Sequence, residues 1–210
     1  MKYLQRRARS IFSGGVVARR LVLGAAVICI CLVLARYYGL HPIGRTSAAI
    51  QKQGEWSCSD GWYITGYYVP REDELPGDAE NIYVERLGNL SFSDQFLNQT
   101  RMEGWGVTRF GWALGYHSGG WHRSEAGALN AAGNVLKVGE IAIDRSVIPR
   151  DAQVQISTLP SPWASTVFRA TDVGVGITGQ HIDVFTGTGR TAEEETFRIT
   201  STDNRVCFQN

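Results

Sequence analysis

The first 54 residues contain no aspartate and no glutamate, while nine lysines and arginines give that stretch a charge of +9. Residues 55–210 hold the other twelve cations against all twenty acids and carry −8. An acidic body excludes nucleic acid as the partner, because that requires a basic face. Histidine is scarce: His41, His117, His122 and His181 are the whole set. Only His117 and His122 are neighbours, and their spacing, without a cysteine companion, matches no zinc pattern, so no metal site is expected. There is no Gly-x-Ser-x-Gly elbow to mark a nucleophilic serine. The Gly-rich "GVGITG" (174–179) is followed by the strand-like "HIDVF" rather than a helix. That excludes a dinucleotide loop, and no cofactor is expected. Internal repeats and low-complexity tracts are also lacking.

What is present begins with "LVLGAAVICICLVLA" (21–35), an uninterrupted apolar run behind six basic residues. That order marks an export signal or signal anchor with its charged end in the cytoplasm. Fifteen helical residues reach only about 22 Å, short of a usual hydrocarbon core. Tyr37 and Tyr38 extend the contact, with flanking arginines snorkelling. Twenty residues before the run is long for a cleaved signal. The expected plan is therefore a basic segment over 1–20, a retained signal anchor over 21–38, a linker over 39–55 and one domain over 56–210. The membrane is thus an expected partner through the N-terminal helix. Cys58 and Cys207 stand at the two ends of the domain, and export permits a disulfide between them.

From Trp56 onward the pattern is that of short strands. "GWYITGYYV" (61–69) is aromatic and β-branched around Gly66. "GEIAIDRSVIP" (139–149), "AQVQISTL" (152–159), "STVFRATDVG" (165–174), "HIDVFTG" (181–187) and "TFRITS" (196–201) alternate apolar and polar residues. Many short strands between Gly and Pro turns predict a closed or sandwiched β fold. "REDELPGDAENIYVERLG" (71–88) reads as a surface excursion, and "SFSDQFLNQTRM" (91–102) as a short helix.

Asp144, Asp172 and Asp183 all interrupt strand-like segments, where aspartate is disfavoured. Turn capping explains Asp144, which precedes a Pro-terminated turn. A carboxyl group among apolar strands or near another carboxylate favours its neutral form, which suits Asp172 or Asp183 to general acid work. Gly174, Gly176 and Gly179 between them would let a bulky substrate approach the backbone. Acids without metal, serine or cofactor point to glycosidic bond cleavage.

"TGYYVP" (65–70), "MEGWGVT" (102–108), "AIDRSVIP" (142–149) and "TDVGVGITGQHIDVFTG" (171–187) resemble the motifs of the 3D domain, named for three aspartates. That domain is the catalytic barrel of the membrane-bound lytic transglycosylase A family. The resemblance implies a six-stranded double-psi β-barrel with a surface insertion. It also implies cleavage of the MurNAc–GlcNAc β-1,4 bond of peptidoglycan, whose glycan strands would be the partner. One carboxyl would serve as acid and then as base for the sugar's 6-hydroxyl, leaving a 1,6-anhydro product. By motif position the acid would be Asp183, with Asp172 beside it and Asp144 as the structural third. Tyr67, Tyr68, Gly104, Trp105, Gly106 and His181 would line the cleft with the three glycines. The chain has Thr178 where the family carries a lysine, and Asp151 where a glycine is usual. Localisation in the cell envelope, outside the cytoplasm, follows from anchor and substrate together. A glycan-binding module and a simple hydrolase are the alternative readings.

Overall fold

A computed structural model describes residues 54–209. The basic segment, the anchor expected at 21–38 and nearly all of the linker lie outside them. Among the described residues no helix is long and apolar enough to cross a membrane.

Six strands close a barrel in the order β1-β10-β7-β9-β8-β11. They are β1 (Trp56–Val69), β7 (Glu140–Ile143), β8 (Gln153–Ile156), β9 (Phe168–Asp172), β10 (His181–Thr188) and β11 (Ser201–Gln209). The pairs β1/β10 and β7/β9 are parallel, and the other four pairs are antiparallel. Alternate residues of each strand fill the barrel: Trp62 and Ile64, Ile141 and Ile143, Val154 and Ile156, Ile182 and Val184. The strand period seen in the sequence is thus the period of this core. Cys58 and Cys207 are direct partners across β1 and β11, and a disulfide joins them over 149 residues of chain.

"TFRITS" is not a strand. It completes helix α2 (Arg190–Ile199), whose buried Ala192, Thr196 and Ile199 fall at helical spacing. The Thr-Phe-Arg-Ile alternation covers too few residues to outweigh that longer stripe, begun by Ala192 and the glutamates after it. Ile199 reaches into the barrel core, and β1 meets the helix closely at Gly66. A Cβ there would stand 2.7 Å from the Thr196 Cα and 3.1 Å from Ile199 Cδ1. Gly66→Ala is therefore expected to cost about 1–3 kcal/mol as overpacking, read as a lower melting temperature.

The segment expected to be a surface excursion is a second sheet, in the order β3-β2-β6-β5-β4. Its strands are β2 (Ala79–Val84), β3 (Gly88–Ser93), β4 (Trp105–Val107), β5 (Ala113–His117) and β6 (Gly120–Ser124). Helix α1 (Asp94–Glu103) packs on it, with Ser93 accepting from the Phe96 N–H as N-cap and Gly104, at φ 84°, closing the C-terminus. Ile82, Val84, Phe92, Phe96, Leu97 and Leu114 give this sheet a core of its own. The polar look of residues 71–88 comes mostly from exposed residues, although Glu72 among them is buried and bonded to Arg109.

Candidate functional site

The site grows from one row of residues across the barrel wall. Thr65 on β1 pairs with Asp183 on β10, Asp183 with Ala142 on β7, and Ala142 with Asp172 on β9. Residues in one row share a face of the sheet, here the face opposite the barrel core. Asp172 reaches that face through a bulge. Phe168 and Ala170 point into the core, so simple alternation would send Asp172 inward as well. The register instead skips Thr171, pairing Ile141 with Ala170 and Ala142 with Asp172, and this turns the Asp172 carboxyl outward. Two strand spacings put the two aspartate backbones about 10 Å apart, with the small Ala142 between them.

The three aspartates differ in what occupies their oxygens. Asp144 accepts from the Ser146 N–H at 2.8 Å, the Ser146 hydroxyl at 2.6 Å and the Gly179 N–H at 2.7 Å. Those bonds hold its carboxyl below the usual carboxylate range. Asp172 accepts from the Tyr67 hydroxyl at 3.0 Å, the Ala131 N–H at 2.8 Å and its neighbour Val173 N–H at 2.9 Å. Among the described residues Asp183 accepts only from the Thr65 hydroxyl, at 2.7 Å on Oδ1. Burial pushes the Asp183 carboxyl upward, and the Asp172 charge adds to this. The Thr65 bond and the His181 charge oppose the rise without cancelling it.

At the Asp172 end of this row, a cavity of about 380 Å³ is lined by Tyr67, Asp172 and Val173 of the barrel; Asp183 and Thr65 lie outside its lining. Its other walls include Glu103 and Gly104 from the end of α1, Trp105 and His117 from the second sheet, and Asn130 and Ala131 from a turn over residues 128–136. That turn is bound to the barrel by the Ala131–Asp172 bond, so Asp172 fastens one wall to the other. Tyr67 packs on Phe185 at 5.3 Å and Trp105 on His117 at 5.8 Å, giving flat apolar faces beside polar groups. Burial pushes the Tyr67 hydroxyl upward, and Asp172 adds to that shift. Tyr67 therefore stays a donor to Asp172. Tyr67→Phe removes one of the three bonds to Asp172 and is expected to cost about 1 kcal/mol of stability, measurable by denaturant titration.

Several residues expected in the cleft stand elsewhere. Tyr68 is 3% exposed, with burial and the nearby Glu193 pushing its hydroxyl upward; only its backbone N–H faces the site, donating to Glu103. Gly106 is a packing glycine, since a Cβ there would meet Phe96 Cε2 at 2.5 Å and Thr100 Oγ1 at 2.3 Å. Gly174, Gly176 and Gly179 form an exposed turn outside the cavity wall. Gly179, at φ 64°, uses its N–H to hold Asp144. His181 bonds Thr65 rather than facing the cavity. Gly104 and Trp105 do line it.

Glu103 stands within "MEGWGVT" (102–108), but no role of its own was legible there. It is half-buried at the last position of α1, and its carboxyl is pushed up to about 7. Burial is the main cause; the charges of Asp183 and Glu193 add to it, and bonds from the Tyr68 N–H and Gln99 oppose it. Thr65 and the turn at 128–136 were likewise invisible, because their roles depend on register and docking.

Residues 139–204, which include all three aspartates, match the family model of the 3D domain. The fold is similar to that of E. coli MltA with bound chitohexaose, at 15% identity over 70% of this chain and 71% of that one, with a TM-score of 0.51. A second E. coli MltA structure matches at 16% identity over 71% and 72% of the two chains, TM-score 0.51. The membrane-bound lytic murein transglycosylase from Agrobacterium tumefaciens matches at 14% identity over 70% and 73%, TM-score 0.51. No curated protein sequence matches the chain. The chain thus matches the 3D domain over residues 139–204, and its mainly β fold resembles that of MltA.

Proposed function

We propose that this chain cleaves peptidoglycan glycan strands as a lytic transglycosylase, with Asp183 as its single acid and base. One observation carries the reading: of the three aspartates, Asp183 alone keeps an oxygen free of protein donors while burial favours its protonated form. Such a carboxyl is equipped to give a proton to a glycosidic oxygen. The resulting carboxylate then takes the proton of the sugar's own 6-hydroxyl, whose oxygen closes on C1 and leaves a 1,6-anhydro end. Asp183 recovers its proton and no water is consumed. Asp172, with its three donors, holds Tyr67 and the turn at 128–136 in place. Asp144 ties the end of β7 to the turn before β10. Tyr67, Trp105 and His117 offer faces on which sugar rings stack.

The MltA structure with bound chitohexaose is a relative holding a glycan, which supports a glycan strand as the ligand here. The two parallel pairs in the barrel suit a double-psi connectivity. The basic segment and apolar run support a domain held on the outer side of a bacterial membrane, in the cell envelope. The test is digestion of purified peptidoglycan by the full-length chain, with fragments weighed by mass spectrometry. Products with 1,6-anhydro ends are expected. Reducing ends would assign water as the nucleophile, and retention on peptidoglycan without release would leave a binding module.

A further inference from the structure

The Asp183 carboxyl is bonded not to substrate-facing groups but to Thr65, and Thr65 is bonded onward. Its Oγ1 lies 2.7 Å from Asp183 Oδ1 and 2.9 Å from His181 Nε2. The other ring nitrogen, Nδ1, lies 3.3 Å from the Gly176 carbonyl oxygen. A carbonyl only accepts, so Nδ1 carries a proton, and whenever the ring is neutral Nε2 is an acceptor. A hydroxyl has one proton to give, and this decides what the row can hold. When Thr65 donates to Nε2, its oxygen is left to accept from a protonated Asp183. When Thr65 donates to an ionised Asp183, Nε2 must itself be a donor, which makes His181 an imidazolium. Both arrangements contain the same number of protons.

We propose that Asp183, Thr65 and His181 hold one exchangeable proton between them, with His181 as a positioning residue that acts on Asp183 through the Thr65 hydroxyl. The transfer is balanced. The Asp183 O–H bond breaks as its proton joins Thr65 Oγ1, and the Thr65 O–H bond breaks as its own proton joins His181 Nε2. Carboxylic acid and neutral imidazole become carboxylate and imidazolium, and the reverse movement rearms the acid. The register makes the arrangement possible, because His181 and Asp183 sit two apart on β10 and Thr65 is paired beside Asp183 on β1. Tyr63, paired with His181, packs its ring 4.7 Å away and fixes the imidazole plane. The charged and titratable groups around the relay are Asp172 and Tyr67 beside Asp183 and Glu103 across the cavity. Both carboxylates disfavour a lone negative charge on Asp183 and so favour keeping the shared proton.

The inference rests on Asp183 being the acid, but its test does not need turnover. The His181 ring nitrogens and the Asp183 carboxyl carbon are followed by NMR through a pH titration of the full-length protein without substrate. Two groups sharing a proton titrate with common apparent steps. Thr65→Val keeps the strand and removes the hydroxyl, so each group is then expected to titrate alone, while Thr65→Ser restores the common steps. His181 and Asp183 titrating independently in the wild type, or a Thr65→Val titration identical to wild type, would overturn the proposal. A second readout uses the pH profile of kcat/KM. Thr65→Val and His181→Gln remove the bond and the charge that oppose the rise of the Asp183 carboxyl, so both are expected to move its alkaline limb up, read as activity kept at a pH where the wild type has lost it. An unmoved limb with uniformly lower activity would assign Thr65 and His181 a merely structural part. Coupled NMR titration in a protein that releases no glycan would leave the relay standing and remove the transglycosylase reading instead.

Discussion

Asp183→Asn is expected to lower kcat/KM for glycan release by about 10²–10⁴-fold, the range a positioned general acid contributes. The amide keeps an oxygen to accept from Thr65, so the row is preserved while the proton is lost. The same change is expected to raise stability at neutral pH. The folded carboxyl is held above its ordinary range by burial, so folding favours the protonated form. Its contribution to stability is complete below the unfolded value and lost as pH rises through the folded one. The variant, neutral throughout, escapes that loss. Thermal melts of the two proteins should therefore coincide in acid and separate towards neutrality, with the variant higher. A variant that is both inactive and less stable at neutral pH would instead mark Asp183 as a structural residue.

Glu103→Gln carries the second large effect, this time on stability. Its folded carboxyl stands at about 7 against an ordinary 4.5. Below pH 4.5 it is protonated in both states and costs nothing. Between 4.5 and 7 the unfolded chain releases the proton and the folded chain keeps it, so stability falls as pH rises. The loss amounts to roughly 3 kcal/mol and is complete above pH 7, at 1.36 kcal/mol for each unit of difference. Glutamine removes the slope. It also has one oxygen where glutamate offers two, and either the Tyr68 N–H or Gln99 loses an acceptor, returning about 1 kcal/mol. Urea titrations at pH 4.5 and pH 8 should show a wild-type difference that the variant lacks. Equal slopes in both proteins would place the proton uptake on another group.

The barrel was largely legible because strands that are buried on one face announce themselves by alternation, as Ile141 and Ile143 do around Ala142. Alternation failed where a competing period was longer: Thr196 and Ile199 belong to the stripe that Ala192 begins. The second sheet was hidden because its exposed residues dominate the composition of 71–88, while the few that build its core, Ile82 and Val84 among them, are widely spaced. For the site, motif position named Asp183 as the acid, with Asp172 beside it and Asp144 as the structural third, but not the physical basis of that division of labour. That division lies in which donors each carboxyl meets. Beside the local donors Ser146 and Val173, donors come from Ala131, Gly179 and Thr65, residues 35 to 118 positions away in the chain. Only register and docking bring them together, and neither is written in a local pattern.

The skipped residue in β9 changes what an insertion or deletion means in this chain. In a loop, one residue more or less alters length and little else. Between Phe168 and Asp172 parity is at stake: taking Thr171 into the ladder would send the Asp172 carboxyl into the barrel's apolar interior and unfasten the turn at 128–136 from the wall, whereas deleting Thr171 would leave Asp172 facing outward in a regular strand. The spacing of that segment is thus a counting constraint, set by which side of the sheet an acid must face and indifferent to which residue is skipped.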